Sequence, residues 1–156
     1  MSGSSILFIF KIGGKRIAIP LKSVERVIRA VAVITIPHSP ATFHGVIDLH
    51  TQIVPVINIR RRLDLPDKAI SRDDRFVIAK LEEGLVVLVV DEVEGIIEVG
   101  QDELVSANEL GNGLKLEGAI RNDDGIILSY EVNHFVEKEE SRQLLKVLKT
   151  KTGATS

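Results

Sequence analysis

The chain lacks several residue types on which other classes of protein depend. Among its 156 residues there is no cysteine and no tryptophan, and aromatic residues make up only 4%. Without cysteine, the chain cannot form disulfides, use a thiol as a nucleophile or hold a metal through thiolates. A reducing, cytoplasmic setting is the expectation that fits this composition.

Charge excess and long apolar runs are also missing. Lys and Arg number 20 against 22 Asp and Glu, for a net charge of -2. Nucleic-acid-binding domains usually carry a basic excess, so we expect no nucleic-acid partner. The longest apolar run, LVVLVV at residues 85–90, is far shorter than the ~20 residues of a membrane span. We therefore expect no direct membrane insertion.

The residues that are present favour strands. Ile and Val dominate the apolar fraction of 44%, and β-branched residues are enriched in sheets. Turn signals such as Gly13-Gly14 and the Asn-Asp-Asp-Gly at 122–125 separate about ten short alternating segments. An all-β barrel or sandwich is predicted. No Pro-, Gly- or Ser-rich linker divides the chain, so a single domain is expected.

Some segments carry local signals of their own. Residues 21–29 have apolar positions at helical spacing and predict one or two amphipathic turns, and residues 30–36 alternate like a strand. Pro55 lacks an N–H donor and is expected on an edge strand or at a bulge. Residues 60–65 predict a short helix. From residue 131 the pattern becomes helical again, and the last residues are polar.

The stretch GVIDLHTQIVPVINIRRRL, residues 45–63, offers the main candidates for chemistry. Asp48 and His50 would share one face of a strand, and an Asp can orient a His base. The chain has no cysteine nucleophile and no G-x-S-x-G elbow. A small metal-dependent β-barrel enzyme that uses Asp48, His50 and His44 stays open as an alternative.

Other motifs are weaker. His38, His44 and His50 are six residues apart, wider than the usual spacing of zinc ligands. Arg60, Arg61 and Arg62 could grip phosphates, which keeps a nucleic-acid binder open as a further alternative. No cofactor motif is present, so we expect no cofactor, no resident metal and no enzyme.

The same stretch resembles the CheW-like family, the chemotaxis coupling proteins. The family pattern G-V-x-N-L-R-G-x-x-x-P-V-[IV]-D-L-R-x-R-[LF] is matched in spacing at Gly45, Val46, Leu49, Pro55, Val56, Ile57, Arg60 and Arg62. GGKRIAIPLKSVERVI upstream looks like the family's opening hairpin, and LVVLVVDEV and LEGAI downstream look like its later strands.

The resemblance implies two interleaved five-stranded SH3-like barrels in one domain over residues 5–137, with a short C-terminal helix and flexible tail at 138–156. It implies a non-enzymatic adaptor that joins the cytoplasmic tips of methyl-accepting chemoreceptors to the regulatory domain of a CheA-type histidine kinase. Such a protein would be cytoplasmic and associated with receptor arrays at the inner membrane face.

The resemblance also implies site residues. Those expected near a receptor groove between the barrels are Val24, Arg26, Val27, Ile28, Gly45, Val46, Asp48, His50 and Thr51. Weaker candidates for kinase contact are Ile96, Ile97 and Gly118.

The chain departs from the family at two places in this site. The usual Asn-Leu-Arg-Gly is Asp48-Leu49-His50-Thr51, and Arg26 stands where many members carry an acid. A histidine lacks the bidentate fork of arginine. A divergent member that binds the kinase but not a conventional receptor is therefore a second interpretation.

Overall fold

The computed structural model describes residues 4–50, 52–106 and 118–136, and its regular structure is almost entirely β. In chain order the strands are β1 (Ser4–Ile12), β2 (Lys15–Pro20), β3 (Val24–Arg29), β4 (Phe43–Leu49), β5 (Gln52–Ile57), β6 (Arg75–Leu81), β7 (Gly84–Val90), β8 (Glu92–Gly100), β9 (Leu104–Ser106), β10 (Gly118–Asn122) and β11 (Gly125–Ser129). Within these ranges there is one short helix, α1 (Ile59–Arg62), and there are 3-10 turns at Leu21–Ser23, Gln101–Glu103 and Val132–Val136. The prediction of an all-β chain is confirmed.

The first of the two sheets curls into a barrel. Its strand order is β8-β1-β2-β11-β10-β9. The edge strands β8 and β9 are joined only by the turn Gln101–Glu103, so the two edges of the sheet must lie close together. In the described residues β8 and β9 are not paired with each other, so they remain the two edge strands of this sheet.

The second sheet, in the order β3-β6-β7-β5-β4, is closed by the segment that follows β3. The backbones of Ile34 and Val46 exchange two hydrogen bonds of 2.9 Å each, which joins this segment to β4. Neighbouring Gly45 has a φ of +148°, and a Cβ there would lie 2.2 Å from the carbonyl oxygen of Ile34. Glycine is therefore required for the barrel to close.

The two barrels are nested in sequence. β3 to β7 supply the second barrel, whereas the first combines β1 and β2 with β8 to β11. A parallel pairing of β2 with β11 connects the two parts of the first barrel. The prediction of two interleaved barrels is confirmed, with six strands rather than five in the first because the three-residue β9 joins it.

Buried side chains form three apolar clusters. One fills the first barrel and consists of Leu7, Ile9, Ala18, Val99, Ile120 and Ile127. Another fills the second barrel with Ile47, Val54, Val56, Phe76, Ile78 and Val87. The largest, here called the seam, joins the barrels and includes Phe8, Phe10, Ile17, Val77, Leu88 and Phe135. β1 and β7 each contribute to the seam and to a barrel interior, so both faces are buried and both sequences are nearly continuous apolar runs.

Two arginines of α1 tie parts of the molecule together. Arg60 donates to one carboxylate oxygen of Asp91 at 2.8 Å, and the other oxygen accepts the N–H of Gly13, also at 2.8 Å. Arg62 donates twice to the carbonyl of His134, at 3.1 and 2.9 Å. Because Gly13 belongs to the β1–β2 turn and α1 follows β5, Asp91 links the two barrels.

Arg16 crosses between strands of the first barrel. Its guanidinium bonds both carboxylate oxygens of Glu94 and the Oδ1 of Asn122. Glu94 lies where the β1–β8 register shifts, and a bulge of this kind redirects side chains. The hydrogen bond from Arg16 lowers the pKa of Glu94, and the same contact raises the pKa of Arg16.

Two local predictions are wrong. Residues 21–29 do not form an amphipathic helix, because only Leu21–Ser23 makes a 3-10 turn and β3 begins at Val24. A register shift between Val24 and Arg26 moves the alternation by one residue, which imitates helical spacing. Residues 30–36 do not form a strand either, since only the isolated bridge at Ile34 is present there.

Pro55 lies in β5, an inner strand rather than an edge strand, and it is close to the bulge that a register shift between Phe43 and Gly45 marks on β4. Its partner on β4 is Val46, whose N–H and carbonyl both bond to Ile34 instead. The parallel pairing of β5 with β7 begins only at Val56. The missing N–H of Pro55 therefore leaves no ladder hydrogen bond unmade.

The boundary at residue 137 and the predicted C-terminal helix and tail at 138–156 lie outside the described residues. Within the described part, no helix has the length and apolar character needed to cross a membrane.

Candidate functional site

A groove of about 810 Å³ opens on the second barrel beside β3 and the end of β4. We call it the β3–β4 groove. It is lined by Arg26, Ile28, Arg29, Val31, Ala32, Ile34, Asp48, Leu49 and His50. All of these residues belong to the second barrel and its closing segment, so the groove does not lie between the barrels.

Apolar side chains form most of the groove surface. Ile28 and Leu49 pack partly against the interior of the second barrel. Val31 and Ile34 are 46% and 63% exposed. Ile53 is exposed as well and pairs in register with Asp48 at the groove. An exposed apolar cluster with polar residues around it is typical of an interaction site.

Charged side chains flank this apolar surface. Arg26 and Arg29 come from β3, and Asp48 comes from β4. Among the described residues, no hydrogen bond or ion pair engages any of these three side chains. His50 follows β4 with a φ of +56°, a conformation suited to the tight connection between β4 and β5.

The structure brings together four of the nine residues predicted for the receptor groove, namely Arg26, Ile28, Asp48 and His50. Four others do not line it. Val24 packs partly against the seam, Val27 is 37% exposed outside the groove, and Gly45 and Val46 lie at the bridge that closes the barrel. Thr51 lies outside the described residues.

The prediction missed five lining residues, namely Arg29, Val31, Ala32, Ile34 and Leu49. Four of them belong to the run RAVAVI, whose alternation predicts one more strand. Its apolar residues fill only part of a barrel core, and two of them stay largely exposed. Pro37 and Pro40 follow this run directly and cannot continue a strand. They were the available signal that residues 30–36 form an irregular connection rather than a strand.

Asp48 and His50 do not share a strand face as expected, because β4 ends at Leu49. The structure shows no hydrogen bond between them in the described part of the chain. His44 is half-buried, and burial lowers its pKa, an effect that Asp67 and Asp74 partly oppose. Across the described residues no group of three His, Asp or Glu side chains is placed to hold a metal ion.

The three consecutive arginines make internal contacts. Arg60 and Arg62 are engaged by Asp91 and by the carbonyl of His134, and Arg61 pairs with Asp67 at 2.9 Å. The arginine run therefore offers no free basic patch, and the nucleic-acid alternative loses the feature on which it depended.

The residues predicted for kinase contact lie in the first barrel and differ in exposure. Ile96 is 58% exposed on β8, whereas Ile97 packs partly against the interior of the first barrel. Gly118 is buried, and a Cβ there would lie 2.5 Å from the carbonyl oxygen of Val105. The close approach of β9 accounts for this glycine, so only Ile96 offers an open surface.

A second groove, of about 630 Å³, lies at one end of the first barrel. Its lining comes from β1, the end of β2 with the turn that follows it, β8, β9 and the end of β11, and it includes Ile6, Lys22, Leu104 and Glu131. None of the predicted site residues lines it.

A family model described as a CheW-like domain matches residues 7–140. The chain belongs to the CheW-like family. Its relatives include the chemotaxis protein CheW of Bacillus subtilis, 27% identical over 139 residues, which cover 87% of this chain and 89% of that protein. The chemotaxis protein CheW of Treponema pallidum is 23% identical over 145 residues, which cover 88% and 85% of the two chains.

A solved structure agrees with the family assignment. The scaffolding protein TtCheW of Thermoanaerobacter tengcongensis superposes with a TM-score of 0.77 at 22% identity, over 87% of this chain and 94% of that one. This likeness shows that the chain has the CheW fold of paired SH3-like barrels. The predicted CheW-like family membership is confirmed.

Proposed function

We propose that this protein is a non-enzymatic adaptor that couples the cytoplasmic tips of methyl-accepting chemoreceptors to a CheA-type histidine kinase. The family match, and relatives that are named chemotaxis proteins, support a scaffold of the CheW family in chemotaxis. We propose in addition the two partners, the absence of catalysis and a cytoplasmic location at receptor arrays.

The observation that carries the proposal is the β3–β4 groove. Its surface presents side chains rather than open backbone, because the Ile34 and Val46 backbones already bond to each other. An apolar groove of this kind accepts an amphipathic helix, as in the helix-in-groove mode of recognition. The tip of a chemoreceptor is helical in the family that this chain resembles, so a receptor tip is the proposed occupant.

The kinase is proposed to contact the first barrel. Ile96 is exposed on β8, and its register partner on β1 is Phe8 of the seam. An exposed isoleucine next to a buried aromatic offers a small apolar surface for a second barrel. This surface and the β3–β4 groove belong to different barrels, so one molecule can engage both partners.

The test is a pair of titrations with two matched variants. Ile34→Ser and Ile96→Ser each remove one exposed isoleucine, 63% and 58% exposed, from different barrels. The first variant should weaken binding of a purified receptor-tip fragment and leave the kinase regulatory domain unaffected, and the second should do the reverse. If the unmodified protein binds neither the receptor-tip fragment nor the kinase regulatory domain, the proposal is wrong.

The second interpretation, an accessory member that binds the kinase alone, draws on the charges of the groove. Arg26 and Asp48 line one groove without an ion pair to any described residue, and His50 replaces the family's arginine. The same titrations distinguish this interpretation from the adaptor proposal. An accessory member should bind the kinase, with weaker binding in Ile96→Ser, and should show no measurable binding of the receptor tip.

A further inference from the structure

The β3–β4 groove carries charged groups that the fold itself does not use. Several other arginines are engaged, as Arg16 is with Glu94 and Arg60 is with Asp91. Arg26 and Arg29 are exposed, and no hydrogen bond or ion pair within the described residues involves their side chains. Cations that stabilise nothing internally are available to a partner.

The groove is locally positive on a protein of net charge -2. Two guanidiniums, Arg26 and Arg29, face a single carboxylate, Asp48, so the fixed charges of the lining sum to +1. The two cations come from β3 and the carboxylate from the end of β4, which are the two end strands of the five-stranded sheet. The lining is therefore cationic at β3 and anionic at β4, and it shares the groove with the apolar side chains of Ile28 and Ile34.

The size of the groove fits a helix. An α-helix about 10 Å wide with a pitch of 5.4 Å fills roughly 400 Å³ per turn. A groove of about 810 Å³ is therefore large enough to accept the side chains of one helix face, an apolar stripe at i, i+3 and i+4, over on the order of two turns. Carboxylates beside that stripe would meet Arg26 and Arg29, which can bind them in bidentate fashion.

We propose that Arg26 and Arg29 make the groove selective for a helix whose apolar stripe is flanked by carboxylates. This inference rests on the proposed function, because it assumes that the groove is the site of helix binding. It adds the charge of the partner: the helix carries Asp or Glu on the side that faces β3. Rim charges act on specificity and association rate more than on total affinity.

Two synthetic peptides of about 20 residues (~30 Å as helix) test the charge preference. They share one leucine stripe, and glutamates flank it in one and lysines in the other. The glutamate peptide should bind the full-length protein at least about tenfold more tightly at low salt, with the gap narrowing as salt screens the charges. Equal binding, or no binding of either peptide, would overturn the inference.

Charge reversal assigns the preference to named residues. Arg26→Glu and Arg29→Glu should each reduce the preference, and the double variant should favour the lysine peptide. Arg121→Glu is the matched control, since this exposed arginine of β10 lies outside the groove and the charge change is the same. An unchanged order of the two peptides in the double variant, or an equal effect of Arg121→Glu, would overturn the assignment.

Ile34→Ser separates this inference from the proposed function. If it weakens binding of the receptor tip while the two peptides bind equally, the groove is the binding site and only the charge preference is wrong. If it changes neither tip nor peptide binding, the groove is not the site and both conclusions fail. Tight, Arg26-dependent binding of duplex DNA with no peptide preference would identify a polyanion site and overturn the inference.

Discussion

Replacing Gly45 by alanine should open the second barrel. Its φ of +148° disfavours any residue with a Cβ, at a cost on the order of 1–3 kcal/mol. The new methyl group would also lie 2.2 Å from the carbonyl oxygen and 2.8 Å from the carbonyl carbon of Ile34. Since both atoms are backbone, the closing segment itself must move by roughly 1 Å to restore contact distance.

That movement breaks the bridge between Ile34 and Val46. Its two hydrogen bonds of 2.9 Å contribute about 0.5–1.5 kcal/mol each, so their loss adds about 1–3 kcal/mol to the backbone strain. Gly95→Ala provides a matched control, because Gly95 has a φ of +145° and a methyl group added there would have no heavy atom within 4 Å. The control should show the strain alone.

The assay is urea unfolding of both variants beside the unmodified protein, with the midpoint and m-value fitted together. Gly45→Ala should be less stable than Gly95→Ala by about 1–3 kcal/mol, which is the contribution of the two hydrogen bonds between Ile34 and Val46. It should also weaken receptor-tip binding under conditions where it is folded, since Ile34 lines the groove. Equal losses of stability in the two variants would refute the reasoning, because the contact with Ile34 would then carry no energy.

Three further predictions concern charges. Asp91→Ala should cost about 1–3 kcal/mol in urea unfolding, because it leaves the mostly buried Arg60 guanidinium without its carboxylate, and an unchanged midpoint would contradict this. Burial lowers the folded-state pKa of His44, so the unfolded state binds more protons and stability falls as pH drops below about 6.5. His44→Gln should flatten the stability curve between about pH 7 and 5, and an unchanged slope would count against it. Arg16 lowers the pKa of Glu94, whose stabilisation is present above its unfolded pKa and is lost as pH falls through the folded value. Arg16→Met should therefore reduce the loss of folding stability as pH falls below about 4. If the free energy of unfolding of the variant falls with pH in parallel with that of the unmodified protein, the effect is excluded.

Local sequence patterns predict many of the strands and turns. Paired glycines placed the β1–β2 turn correctly, and Gly13 and Gly14 both have positive φ values. The runs in β1 and β7 predicted strands, and burial on both faces explains why they do not alternate. The family pattern supplied what local reasoning could not, namely that the strands divide into two interleaved barrels.

The errors arose where one residue changes the meaning of a pattern. A register shift near Val24 gave β3 the spacing of a helix, and spacing alone cannot distinguish the two. Residues 30–36 alternate like a strand, yet their position is fixed by a long-range contact of Ile34 with Val46 and Gly45. Such contacts depend on tertiary structure, and for this reason about half of the groove lining went unpredicted.

The nested order of the barrels also sets the order in which a new chain can fold. Every strand of the second barrel is available once residue 90 has been synthesised, and its strand pairings join residues much closer in sequence than the pairing of β2 with β11 does. β2 waits much longer for its parallel partner, because Arg16 pairs with Ile127, 111 residues later (127 minus 16). Until then the hairpin of β1 and β2 can bury Phe8 and Phe10 against the completed second barrel. Its other face, which belongs to the interior of the first barrel, stays exposed to solvent. The first barrel therefore closes last, and its contacts of high sequence separation should limit the folding rate.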